Sequence, residues 1–155
     1  MRPSNKIRII LLDDLDSIRN SLSKYLTYNG YEVFSFSTPM ICPLQFEPEC
    51  RCTENQTCTD IIITDWEMQG MSGLQIIQKQ KNKHCKCKHI ALMSGLWTEE
   101  KLDRADELSC KIFTKPVLPN DILRWIKDVT YKIDPDRELC SWFEEPLLKI
   151  STSPE

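Results

Sequence analysis

Apolar residues in this chain gather into short runs of four to six, separated by stretches where they recur every three or four positions. The first run, IRIILL at 7–12, meets two aspartates and reads as a short strand buried on both faces. Ile18, Leu22 and Leu26 then follow helical spacing, with Asp16 or Ser17 placed to cap the start and Asn29-Gly30 to supply a left-handed stop. YEVFSF (31–36) is a second strand, DIIITD (60–65) a third, HIALMS (89–94) a fourth and KIFT (111–114) a fifth. Helices are predicted from MSGLQIIQKQK onward at 71, from Thr98 with Glu99 and Glu100 complementing the dipole, and after Asn120, where Ile122, Trp125, Ile126 and Val129 share a face. Residues 38–59 have prolines at 39, 43 and 48, four cysteines and no clean period, the pattern of a loop or a damaged helix.

Strands alternating with helices predict right-handed crossovers and an α/β, doubly wound, five-stranded parallel sheet covered on both faces. The rhythm stops near residue 131, so the expected division is a domain over 1–131, with a Cys-rich insertion at 38–59, and a C-terminal extension over 132–155. In that extension Trp142, Phe143, Leu147, Leu148 and Ile150 offer apolar surface for docking on the body or on a partner.

Composition narrows the function classes. At 155 residues and 41% apolar content the chain has the material for one core. A net charge of -3 and a pI near 5.5 give no basic footprint for nucleic acid. The N-terminal apolar run is too short to span a membrane and lacks a cleavage site, so a cytoplasmic protein without membrane contact is expected. Eight cysteines would suit a disulfide framework in a small secreted chain; here metal binding or free thiols fit better.

In an open parallel sheet, ligands bind beyond the carboxyl ends of the strands. Those ends carry Asp13 and Asp14, Asp65, Ser94 and Lys115. Three converging carboxylates call for a hard divalent cation, most simply Mg2+, while the lysine and hydroxyl suit a phosphoryl group. Taken singly, such aspartates also cap helices and a Lys-Pro pair also makes a turn. The motifs LLDD at 11–14, IITDWEMQGMSGLQI at 62–76, ALMSG at 91–95 and FTKP at 113–116 nevertheless stand together in one order and spacing. In this the chain resembles the response-regulator receiver family, single-domain chemotaxis regulators among them, over roughly residues 5–130.

The resemblance implies a flavodoxin-like receiver fold with strand order 2-1-3-4-5. It implies a signalling protein of a two-component system rather than an enzyme, with at most self-phosphorylation from small donors and autodephosphorylation. Asp65 would be the phosphoacceptor, served by a sensor histidine kinase or phosphotransfer protein. Asp14 would bind Mg2+ directly, Asp13 through water, and Asp65 and the Glu67 carbonyl would complete the protein ligands. Ser94 would move onto the phosphoryl group, Lys115 would pair with Asp65, and the Lys115-Pro116 bond would be cis. The chain departs from the family at Ile112, where an aromatic switch residue is common, and at Gln69, where proline is common. Phe113 is one position off and faces the other side of its strand. Output would pass by protein contact to a downstream target that the sequence does not name.

The same topology places Cys58 and the HCKCKH segment (84–89) at the amino ends of neighbouring strands, away from the aspartates. Cys50, Cys52, Cys58, Cys85 and Cys87 then offer five sulfurs for a four-ligand structural Zn2+, with Cys42, His84 and His89 in reserve. Such a clip would compensate for the helix that the 38–59 insertion replaces. An iron-sulfur cluster, redox-active thiols and idle cysteines are the alternatives, and Cys110 and Cys140 look unpaired. Two other functional readings stand beside the phosphoacceptor. One is a degenerate receiver that senses metal or redox state. The other is a haloacid-dehalogenase-type phosphatase, disfavoured because Glu67 occupies the place of that family's second aspartate.

Overall fold

The computed structural model describes residues 6–141. Five parallel strands form its main sheet: β1 (Arg8–Leu12), β2 (Glu32–Phe36), β4 (Ile61–Asp65), β5 (His89–Ser94) and β6 (Lys111–Thr114), in the order β2-β1-β4-β5-β6. Counted within this sheet alone, that is the expected 2-1-3-4-5 order. The connections supply α1 (Asp16–Tyr28), α2 (Gly73–Asn82), α3 (Glu99–Glu107) and α4 (Pro119–Thr130). No helix among the described residues is long and apolar enough to cross a membrane.

Strand alternation divides the core into two layers. Ile10, Leu12, Ile62 and Leu92 face one side and pack with Ile76 and Ile77 of α2. Ile9, Leu11, Ile61 and Ile63 face the other and pack with Leu22 and Leu26 of α1 and Ile122 and Ile126 of α4. The central strands β1 and β4 are buried along their whole length, whereas the edge strand β2 is half-buried over all but its last residue. This distribution explains why central strands read as continuous apolar runs.

Most helix boundaries follow the chain's own signals. Gly30 takes φ 97° after α1, the Thr98 hydroxyl accepts from Lys101 N–H at 3.2 Å, and Ser72 with Gln75 makes a reciprocal cap on α2. The start of α1 differs from expectation. Its N-cap is Leu15, without a side-chain cap, and the Leu15 N–H donates to Asp13 Oδ1 at 2.9 Å, so neither Asp16 nor Ser17 caps the helix. Ile18, read as part of the buried stripe, is 43% exposed.

The 38–59 segment is not a helix. It forms two short 3-10 turns, Pro39–Ile41 and Pro43–Gln45, and then the two-residue strand β3 (Gln56–Thr57). β3 pairs in parallel with β7 (Glu138–Leu139), which joins the start of the C-terminal extension to the insertion. A buried ion pair reinforces the junction. Arg137 binds Asp60 through two bonds of 2.8 and 2.7 Å, and Asp60 Oδ2 also accepts from the Arg8 N–H at 2.9 Å. Arg8 itself is fully buried inside a strand that otherwise reads as apolar. Its guanidinium meets Glu32 at 2.8 Å and the carbonyls of Cys58 and Cys140 at 2.9 and 2.8 Å. The expected docking residues Trp142, Phe143, Leu147, Leu148 and Ile150 lie outside the described residues.

Removing one partner of a buried ion pair strands the other charge. Arg137→Ala is therefore expected to destabilise the fold by roughly 3 kcal/mol, measured as a lower urea midpoint with an unchanged slope.

Candidate functional site

β1 and β4 are adjacent and parallel, with Leu12 opposite Thr64. Their carboxyl ends therefore deliver Asp13, Asp14 and Asp65 to one place, and oxygens of the three lie within 4.8 Å of one another. Two strands away, β6 runs into the cis Lys115-Pro116 bond. Lys115 Nζ reaches back to Asp65 Oδ2 at 2.6 Å and stands 3.6 Å from Asp13 Oδ2. The other Asp65 oxygen accepts from the Glu67 N–H at 3.2 Å.

Charge at this site is poorly balanced. Burial pushes the Asp65 carboxyl above its ordinary range; the Lys115 ammonium pulls it back, and the neighbouring Asp13 adds to the rise. Burial also pulls Lys115 down, but its bond to Asp65 and the charges of Asp13 and Asp65 carry it above its ordinary value, so it stays an ammonium. One ammonium against three carboxylates leaves two negative charges. Asp13 Oδ2 is buried and accepts no hydrogen bond among the described residues. An oxygen-only donor set, an excess of two negative charges and a buried carboxylate oxygen that accepts no hydrogen bond suit a hard divalent cation, so the residues fit Mg2+.

Ser94, at the end of β5, is fully buried beside Glu67. Its hydroxyl lies within hydrogen-bond distance of both Glu67 carboxylate oxygens, at 3.2 and 3.1 Å, and of the Leu96 carbonyl at 3.0 Å. Lys101, from α3, donates to Glu67 at 2.8 Å, to Ser94 Oγ at 2.9 Å and to the Leu96 carbonyl at 2.9 Å. The Lys101 ammonium also stands 5.2 Å over the Trp66 ring, which meets Trp97 edge to face at 5.7 Å. Sequence reasoning missed Lys101, Trp66 and Trp97. Thr98 capping α3 supplies the signal for Lys101, because it fixes the phase that turns position 101 toward the strand ends.

Ile112 is half-buried against the layer that includes Leu92 and Ile10, and Phe113 joins the opposite layer, meeting Trp125 edge to face at 5.9 Å. The expected split of these two positions across the sheet is what the structure contains. Gly73 is a further positioning residue. Its N–H donates to the Trp66 carbonyl at 2.9 Å, and a Cβ there would collide with the backbone carbonyl of Asp65.

The sulfurs lie elsewhere. Cys58, Cys85, Cys50 and Cys52 gather at the amino end of the sheet, and Cys140 joins them, with its Sγ 3.5 Å from that of Cys52. The reading of Cys140 as unpaired is thus corrected: β7 carries it to the insertion. Cys87 Sγ is directed at the carbonyls of Asp60 and His89, at 3.4 and 3.7 Å, and Cys42 is buried in the core. His84 is exposed in a turn with φ 61°, and His89 opens β5.

Comparison with known proteins fits this geometry. The family profile of the response regulator receiver domain matches residues 9–127. The chain belongs to that family. Among solved structures it is similar to chemotaxis protein CheY4 of Vibrio cholerae, with 23% identity and a TM-score of 0.64 over 80% of this chain and 98% of that one. It is similar also to a CheY-like receiver domain protein of Methanospirillum hungatei JF-1, with 20% identity and a TM-score of 0.66 over 82% and 95% of the two chains. The receiver domain of Francisella response regulator 1452 aligns with a TM-score of 0.68 at 13% identity, over 82% and 98%. These likenesses show the fold. No curated protein matches the chain. Receiver domains are signalling modules that bind Mg2+ at an acidic pocket and interact with histidine kinases or phosphotransfer proteins.

Gly73→Ala is expected to cost about 1–3 kcal/mol, because the methyl must displace the Asp65 backbone. Gly95→Ala, where a Cβ meets nothing within 4 Å, should change stability by less than about 0.5 kcal/mol. Thermal unfolding of the two variants beside the parent measures the contrast.

Proposed function

We propose that this receiver is a phosphoacceptor response regulator, phosphorylated on Asp65 and signalling by protein contact. The observation that carries the reading is the Lys115 ammonium 2.6 Å from Asp65, with Asp13 and Asp14 within ligating reach of the same carboxylate. A carboxylate oxygen of Asp65 attacks the phosphorus of a phosphohistidine on a sensor kinase or phosphotransfer protein. The P–N bond breaks, the imidazole leaves with the electron pair and is protonated, and Asp65 becomes an acyl phosphate. Small phosphodonors serve the same attack.

Asp14, Asp65 and the Glu67 carbonyl, with Asp13 through water, would hold Mg2+, which offsets the charge of the transferring group when bound. Lys115 pairs with a phosphoryl oxygen from the other side. Ser94 starts with its hydroxyl engaged by Glu67, Leu96 and Lys101, so bonding the phosphoryl group requires it to leave them. That exchange couples phosphorylation to the Lys101 end of α3, which is where a change of surface would begin. With Ile112 in place of an aromatic residue, the Ser94 and Lys101 side carries the signal. The downstream reader is a protein in the cytoplasm rather than a promoter, in keeping with a pI near 5.5.

Intact-mass measurement with Mg2+ and acetyl phosphate tests the reading. The parent should gain one phosphoryl group and Asp65→Asn none; equal gain by both would contradict it. Lys115→Ala should slow the gain about 100-fold, the scale for losing one donor to a developing anion.

A further inference from the structure

The first turn of α3 breaks a local rule. Thr98 caps it by accepting from the Lys101 N–H at 3.2 Å, and Glu99 and Glu100 complement the dipole, yet the next position holds Lys101. A capping box places a glutamate or glutamine there, and a cation near a helix N-terminus opposes the dipole. The ammonium is directed to the strand ends instead. Its three hydrogens meet three acceptors: Glu67 Oε2 at 2.8 Å, Ser94 Oγ at 2.9 Å and the Leu96 carbonyl at 2.9 Å. Lys101 thereby ties the start of α3 to the segment after β4 and to the end of β5.

A serine hydroxyl has one hydrogen to donate and two lone pairs. In Ser94 the lone pairs face the Lys101 ammonium at 2.9 Å and the Leu96 N–H at 3.3 Å. The hydrogen has the Glu67 carboxylate and the Leu96 carbonyl as acceptors, at 3.0 to 3.2 Å. Ser94 is fully buried, so a partner it gives up is not simply replaced by bulk water. Around Lys101 the contacts are aromatic. The Trp66 ring lies 5.2 Å from the ammonium, Trp97 meets Trp66 edge to face, and the Trp97 indole N–H donates to the Phe113 carbonyl of β6 at 3.0 Å. The Glu67 side chain is 54% exposed, which makes its ion pair with Lys101 weak by itself. What the ammonium decides is the orientation of the buried Ser94 hydroxyl.

We infer that Lys101 is a positioning residue that latches Ser94 away from the phosphoryl site and so restrains phosphoryl binding at Asp65. The inference rests on the phosphoacceptor reading above. Ser94 cannot give its hydrogen to a phosphoryl oxygen while it keeps its present partners, so the Lys101 bond favours the unphosphorylated arrangement. Lys101 also compensates the Glu67 charge, an effect that operates whether or not residue 94 carries a hydroxyl. Only the part that depends on the Ser94 hydroxyl is the latch.

The test is binding of beryllium trifluoride, a phosphoryl mimic that bonds a carboxylate oxygen, to the full chain in Mg2+. Titrations compare the parent, Lys101→Met, Ser94→Ala and the double variant; methionine keeps an unbranched stem and removes the ammonium. Lys101→Met should favour mimic binding about 5-fold more in the parent background than in the Ser94→Ala background, the scale of one hydrogen bond. In the parent alone, which needs no variant to fold, the Lys101 ammonium protons should exchange with water faster once the mimic saturates the site. An equal effect of Lys101→Met in the two backgrounds, a difference of opposite sign, or unchanged ammonium exchange would overturn the latch alone. A parent that binds no mimic would overturn the phosphoacceptor reading along with it.

Discussion

Lys115 holds its ammonium 2.6 Å from Asp65 and 3.6 Å from Asp13 at a place where two parallel strands have no choice but to deliver carboxylates side by side. That crowding is the constraint on which the carboxyl end of the sheet depends. A single cation does not neutralise three buried or half-buried acids, and burial, with the charge of neighbouring Asp13, raises the cost of ionising Asp65. The imbalance makes the site receptive to a divalent ion. Gly73 belongs to the same constraint, because only a residue without a Cβ lets α2 begin against the Asp65 carbonyl.

The two ends of the sheet have divided the labour. Oxygen ligands and a lysine stand at the carboxyl ends, where the chemistry of phosphoryl groups is expected. Sulfurs, Arg8 and the Arg137–Asp60 pair stand at the amino ends, where the insertion and the chain beyond α4 meet. The 3-10 turns and the small β3-β7 ladder supply little backbone hydrogen bonding compared with a helix. The Arg137–Asp60 and Arg8–Glu32 ion pairs hold that region in its place.

Much of this was legible in the sequence because the strands are short, apolar and terminated by the polar residues that the sheet brings together. Asp13, Asp14, Asp65, Ser94 and Lys115 each mark a strand end, so locating the strands located the site. What escaped notice depended on contacts between distant parts of the chain. Arg8 sits inside an apolar run and gives no local sign that its charge is spent on Glu32 and on the carbonyls of Cys58 and Cys140. β3 and β7 have two residues each, below the length at which alternation can be recognised. Cys140 therefore looked solitary. Lys101 was hidden for a related reason: a lysine on a polar helix normally faces water, and only the packing of α3 against β5 directs it to Ser94.

With Asp65 as the phosphoacceptor we propose, the carboxylate cluster needs a divalent cation to accept a phosphoryl group. The most direct measurement is the initial rate of phosphoryl incorporation from acetyl phosphate as Mg2+ is titrated into chelated protein. Negligible incorporation is expected without Mg2+, with a rise that saturates as a single site fills. A rate that is unchanged after complete removal of divalent cations would contradict it.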